Sequence, residues 1–247
     1  MGRTELTRNV ALFDTDRTLI NIESAVNEAL GVSTEQHFGY ATDLRDLRRD
    51  QYAGQPMDAI FYSLAAGDSG VEGSWPDEVN VDDAIATYEE ALDYILSNEP
   101  EPKRFLCDGV VEFLDRLKEG GIHLGVFSGA TGPAHAKALE VTGLAGYFPA
   151  RATSDEQNSI YRVDLIRLCA SRLEKYLRSQ GGERINPAKV AIFDDNPQAL
   201  RAANQFCPWS IGVLSASLYT KDELEEAQPF KIYLDFRDPY IFSEVFE

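Results

Sequence analysis

Cysteine is scarce: Cys107, Cys169 and Cys207 are the only three in 247 residues. Odd in number, scattered and outside any C-x-x-C spacing, they exclude a disulfide framework and a zinc ribbon, and they fit a reducing cytoplasm. Histidine is equally rare. His37, His123 and His135 are dispersed, which favours packing or surface roles over metal ligation. No apolar run approaches the roughly 18 residues of a membrane span, and the first residues show no signal-peptide core. Leu6 stands where a myristoylation signal wants Ser or Thr. Positive charge is also short: 23 Lys and Arg against 41 Asp and Glu give a net charge of −18. Such a field repels phosphodiester backbones and anionic lipid, so neither nucleic acid nor a membrane is an expected partner. Gly125, Gly129 and Gly132 lack the Lys-Ser/Thr ending of a phosphate-binding P-loop, and neither G-x-G-x-x-G nor G-x-S-x-G fits.

What is present is an alternation. "NVALFD", "IHLGVFSG" and "KVAIFDD" are short, almost continuously apolar runs, as expected of strands covered on both faces of a parallel sheet. "SIGVL" and "FKIYLDF" read as later strands. Helix-period segments lie between them: "GVVEFLDRLKEGG", with Asp108 as expected cap, "PAHAKALEVTGL", the long "RVDLIRLCASRLEKYLRSQ" and "PQALRAANQF". The stretch from "PAHAKALEVTGL" to the long helix reads as a loop. This order predicts an α/β fold, a Rossmann-like doubly wound parallel sheet. Residues 22–104 differ in texture. They carry helical patterns at "ESAVNEALG", "TDLRDLRRDQYAG", "PMDAIFYSLAAG" and "NVDDAIATYEEALDYILSN", the last capped by Asn80 and striped by Ile85, Tyr88, Leu92, Ile95 and Leu96. The expected organisation is a core domain of residues 1–21 and 105–247 with an inserted α-helical cap domain, 22–104. Arg45, Arg48 and Arg49 form a basic island there, read first as a solvated helix face and second as a site to greet an anionic substrate.

Three strand ends carry chemistry: Asp14 and Asp16, Ser128 and Gly129, Asp194 and Asp195. In doubly wound sheets ligands bind beyond these carboxyl ends. Four carboxylates gathered at one rim repel one another, and a hard divalent cation, most economically magnesium, relieves the repulsion through oxygen ligands. A metal held by few protein oxygens keeps positions for water and a substrate phosphate, while Ser128 and the Gly129 N–H are placed to hold phosphoryl oxygens.

"DTDRT", "VFSGATG" and "VAIFDDNPQAL" resemble, in order and spacing, the first, second and fourth motifs of the haloacid dehalogenase superfamily. The helical block between the first two motifs is similar to members with a helical cap after the first strand, such as phosphoglycolate phosphatases and β-phosphoglucomutases. The resemblance covers roughly residues 9–214. It implies Asp14 as nucleophile and Asp16 as general acid and base. It implies magnesium bound by Asp14, the main-chain carbonyl of Asp16 and Asp194, with Asp195 as a direct or outlying partner, and Thr18 and Ser128 orienting the loop and phosphoryl group. Arg162 is the positional match to the lysine of the third motif; Arg17 stands where a glycine is usual, and Gln198 where many members carry a further acid. The function implied is a magnesium-dependent phosphatase acting on a small phosphorylated metabolite. A phosphomutase, or a catalytically weak relative used for binding or regulation, is the alternative. Oligomeric state and substrate identity are not readable.

Overall fold

The computed structural model describes residues 8–44, 55–66, 80–156 and 162–247. Six strands, β1 (Val10–Asp14), β2 (His123–Ser128), β3 (Ala150–Thr153), β4 (Val190–Asp194), β5 (Trp209–Val213) and β6 (Lys231–Tyr233), form one parallel sheet in the order β3-β2-β1-β4-β5-β6. β1 lies in register between β2 and β4, with Asp14 opposite Phe127 and Phe13 opposite Phe193. Every residue of β1 and β4 is buried. That is why these strands read as unbroken apolar runs.

One sheet face stacks Phe13 on Phe193, ring centroids 4.7 Å apart, over Phe113 of α4 (Val110–Glu119) and Phe236. The other face, with Leu12 and Ile192, is covered by Leu165, Ile166, Cys169 and Leu173 of α6 (Arg162–Ser179) and by Ala202 and Ala203 of α7 (Pro197–Asn204). The approach of α6 depends on Gly125 of β2. A Cβ there would lie 2.8 Å from Leu12 Cδ2 and 2.9 Å from Cys169 Sγ. All three cysteines are free and buried. Helices α5 (Gly132–Val141), α8 (Lys221–Glu225) and α9 (Ile241–Phe246) complete the core.

Between β1 and β2 the chain inserts α1 (Glu23–Phe38), α2 (Met57–Ala65) and α3 (Val81–Ser97) ahead of α4. Asn80 caps α3 as the sequence predicts, accepting from the N–H of Asp82 at 3.1 Å and of Asp83 at 3.4 Å. Tyr88, Leu92 and Leu96 of its stripe are buried, with Ile85 and Ile95 packed beside them. The chain leaves and returns side by side: the Asn21 N–H donates to the Phe105 carbonyl at 2.7 Å and the Cys107 N–H to the Leu19 carbonyl at 2.9 Å. Across the gap, Lys137 of α5 pairs with Asp93 of α3 at 2.9 Å.

Two sequence expectations meet the structure differently, and a third falls mostly outside the described residues. Asp108 does not cap α4. The N-cap is Gly109 in a left-handed conformation, and the Asp108 carboxylate instead pairs with Arg237 at 2.9 Å. The stretch read as a loop before the long helix contains β3, which pairs only with β2 at the sheet edge. Most of the helix read over "TDLRDLRRDQYAG", with Arg45, Arg48 and Arg49, lies outside the described residues. Among the described residues no helix is long and apolar enough to cross a membrane.

Candidate active site

The connection order reverses at β1, so a crevice opens beyond the carboxyl ends of β1, β2 and β4. Asp14 ends β1, Ser128 ends β2 and Asp194 ends β4, each buried. One carboxylate oxygen from each of Asp14, Asp194 and Asp195 lies within 4.8 Å of the others. Burial and mutual repulsion act together on these acids. Asp14 is held well above the ordinary carboxylate range by burial first and by Asp194 second, against the pull of Arg162. Asp194 and Asp195 are each pushed up to about 7, burial again leading.

Arg162 supplies the countercharge. From the first turn of α6 its Nη1 donates to Asp14 Oδ1 at 2.9 Å. Burial alone would weaken this cation, yet Asp14 and Asp194 raise its pKa overall. Its guanidinium passes over Gly129, where a Cβ would stand 3.4 Å from Nη2. The Gly129 carbonyl, for its part, accepts from the Met57 N–H at 3.0 Å, tying the β2 loop to the insert.

Asp16 is set apart from the triad. Its Oδ2 accepts from Ser128 Oγ at 2.9 Å, while Ser128 Oγ accepts from the Ala130 N–H at 2.9 Å. Burial raises the Asp16 pKa and the Ser128 hydrogen bond opposes it. Thr18, fully buried, donates from Oγ1 to Asp195 Oδ1 at 3.5 Å, which fastens the β1 loop to the β4 loop. Arg17 turns the chain with φ at +60°, in the left-handed region, and its side chain pairs with Glu23 at 3.2 Å. Gln198 is exposed in the first turn of α7, where its backbone N–H donates to Asn196 Oδ1 at 2.8 Å.

Two features escape the sequence reading. His135 of α5, 2% exposed, places Nε2 2.9 Å from Thr15 Oγ1. Because the Thr15 hydroxyl donates to the Phe127 carbonyl at 3.0 Å, the imidazole must donate to Thr15. Burial drives the His135 pKa down to about 4, so the ring is neutral and braces the loop between Asp14 and Asp16. Its dispersal from the other histidines favours a packing role, but nothing in the sequence pairs it with Thr15. The second feature is a cavity of about 360 Å³ above Asp16, Ser128, Gly129 and Arg162. Ile22 and Val26 of the first insert helix region, Met57 and Ile60 of α2, and Tyr88 and Leu92 of α3 form its roof.

The triad fits a hard cation on its own chemistry. All its donors are oxygens, the group lacks charge balance, and Asp194 Oδ2 is buried with no hydrogen-bond partner. The histidines take no part in it, as their dispersal in the sequence implies.

The crystal structure of CbbY from Rhodobacter sphaeroides in complex with phosphate is similar, with a TM-score of 0.75 at 18% identity over 94% of this chain and 96% of that one. A hydrolase from Pseudomonas syringae matches with a TM-score of 0.71 at 17% identity, covering 96% of this chain and 99% of its own. A predicted phosphoglycolate phosphatase from Haemophilus somnus matches with a TM-score of 0.67 at 16% identity, covering 98% and 100%. At these identities the likeness is one of fold. No curated protein sequence matches significantly. The family model "Haloacid dehalogenase-like hydrolase", however, matches residues 11–207, which contain both aspartate pairs, Ser128 and Arg162, and on that span the chain belongs to this family.

Proposed function

We propose that this chain is a magnesium-dependent phosphomonoesterase acting on a small phosphorylated metabolite through an aspartyl-phosphate. The observation that carries the reading is the buried Asp14, Asp194 and Asp195 group, within 4.8 Å, with Arg162 on the Asp14 carboxylate and Asp16 held apart by Ser128. The phosphate bound in CbbY supports it.

The carboxylates of Asp14, Asp194 and Asp195 and the main-chain carbonyl of Asp16 would hold the cation. When bound, magnesium neutralises clustered carboxylate and phosphoryl charge during displacement at phosphorus. Asp14 attacks phosphorus, forming one O–P bond as the ester P–O bond breaks. Asp16, its pKa raised by burial, acts as the general acid and gives a proton to the leaving alkoxide. In the second half-reaction the Asp16 carboxylate takes a proton from water as the water attacks the phosphoryl group, which frees inorganic phosphate and Asp14. Arg162 balances charge on both occasions, Thr18 steadies Asp195 and Ser128 aims Asp16. Residues 22–104 act as a cap on the core of residues 1–21 and 105–247, excluding water during the first step. A reducing cytoplasm suits the three free cysteines.

The test is hydrolysis of p-nitrophenyl phosphate with and without magnesium, for the wild type and Asp14→Asn. Magnesium-dependent turnover that the substitution abolishes is expected. Turnover surviving Asp14→Asn refutes the nucleophile, and no turnover by the wild type points to the binding or regulatory alternative.

A further inference from the structure

From the cavity walls we infer that the group esterified to phosphate is apolar, a compact alkyl or aryl alcohol rather than a polyhydroxylated sugar. This rests on the phosphomonoesterase reading and deepens it. The cavity floor carries three of the polar groups that reaction uses, Asp16, Ser128 and Arg162, the last bonded to the Asp14 carboxylate. Its roof is Met57, Ile60, Tyr88 and Leu92, and one flank is Ala134 and Ala138 of α5. A sugar brings several hydroxyl groups, each of which costs free energy when buried without a partner. Aliphatic side chains offer none, and of the polar residues elsewhere on the lining Glu23 pairs with Arg17, Asn21 Oδ1 accepts from the Glu23 N–H and His135 donates to Thr15, with Gln55 beside them.

The described lining residues include two cations, and both are engaged: Arg162 with Asp14 and Arg17 with Glu23. That pairing argues against a second phosphate at the far end of the substrate. Volume limits size as well. At about 30 Å³ for each water-sized atom, a cavity of about 360 Å³ holds about a dozen heavy atoms. A phosphoryl group with six carbons fills it. The same walls count against the phosphomutase alternative, whose acceptor would be a sugar hydroxyl.

Two measurements test the inference. Calorimetric binding of methyl-, ethyl-, butyl- and hexylphosphonate, with magnesium present, reads the walls without turnover. Affinity is expected to rise about threefold to fourfold per added methylene until the cavity is full, and Ile60→Ser to flatten the series. A flat series in the wild type overturns the inference. Hydrolysis of hexyl phosphate against glucose 6-phosphate, both six-carbon primary esters, is expected to favour hexyl phosphate at least tenfold in kcat/KM; preference for the sugar overturns it. A rising phosphonate series with no hydrolysis of any ester supports the apolar ligand and refutes the phosphatase reading. Asp14-dependent hydrolysis with a flat series does the reverse.

Discussion

Asp14→Asn is expected to abolish turnover and, without metal at high pH, to make the protein more stable. At an effective dielectric constant of about 20, two charges no more than 4.8 Å apart repel by about 3.5 kcal/mol or more, and Asp14 faces two such partners, Asp194 and Asp195. The ion pair with Arg162 at 2.9 Å returns about 6 kcal/mol on the same scale. Repulsion therefore exceeds attraction by about 1 kcal/mol or more, and burying the charge at 3% exposure adds to the excess. Asparagine keeps an oxygen for Arg162, and the cation retains Asp194 and Asp195 as counterions. The gain should be about 2 kcal/mol, or about 4 to 8 °C in Tm for a chain of this length. Its pH dependence identifies the cause. An acid whose pKa is raised by folding costs nothing below its unfolded value, and the cost grows as pH rises through the folded value. With Asp14 held well above the usual range and its neighbours at about 7, the Asn variant should lead at pH 9, with the gap closing toward pH 4. Thermal unfolding in chelator at both pH values measures it. A variant less stable at pH 9, or a gap independent of pH, would refute the charge-crowding argument.

Arg162→Gln removes the nearby cation paired with Asp14, so at pH 8 a loss of about 3 to 5 kcal/mol in denaturant unfolding and at least a hundredfold drop in kcat/KM are expected, with the stability loss smaller at pH 5. Magnesium should raise the wild-type Tm more at pH 8 than at pH 5, because protonated carboxylates do not ligate; equal increments in a thermal titration would contradict the site. Ser128→Ala takes away the hydrogen bond that holds the Asp16 pKa down, so the alkaline limb of the kcat profile should move to higher pH as kcat falls about tenfold. Gly109→Ala would set a Cβ 2.6 Å from the Arg237 backbone nitrogen at a φ of +79°, and should cost more than 2 kcal/mol of unfolding free energy without changing KM.

The core sheet was legible because burial on both faces writes itself as apolar runs, and β1 and β4 each end in an aspartate, a residue strands disfavour. β3 could not be read so. Ala-Arg-Ala-Thr has neither an apolar run nor a clean alternation, and it is a strand because β2 offers it an edge. The Asp108 cap failed for a different reason: an aspartate preceding a helix is a sound local signal, but Arg237, far along the chain, claims that carboxylate. His135 and the apolar roof share this non-local origin. Each depends on how the insert and α5 sit over the β1 loop, a placement that hydrophobic periodicity does not encode.

Arg17 shows how far a departure from a family pattern can be interpreted physically. A glycine is usual there, and the φ of +60° says why: the turn is left-handed, a conformation that costs an L-residue about 1 to 2 kcal/mol. The Arg17 N–H still closes the turn on the Ile20 carbonyl at 2.6 Å, so the loop holds its course between Asp16 and Thr18. The ion pair with Glu23, partly exposed on both sides, returns less than about 1 kcal/mol. The side chain therefore does not recover its own strain through stability, and its remaining role is positional: it lines the cavity mouth and spans from the nucleophile loop to α1. Arg17→Gly should accordingly change unfolding free energy by less than about 1 kcal/mol, since relief of strain is offset by the added freedom of the unfolded chain, while KM for a cavity-filling ester rises. A loss of several kcal/mol with unchanged KM would show that the arginine holds the loop rather than the cavity mouth.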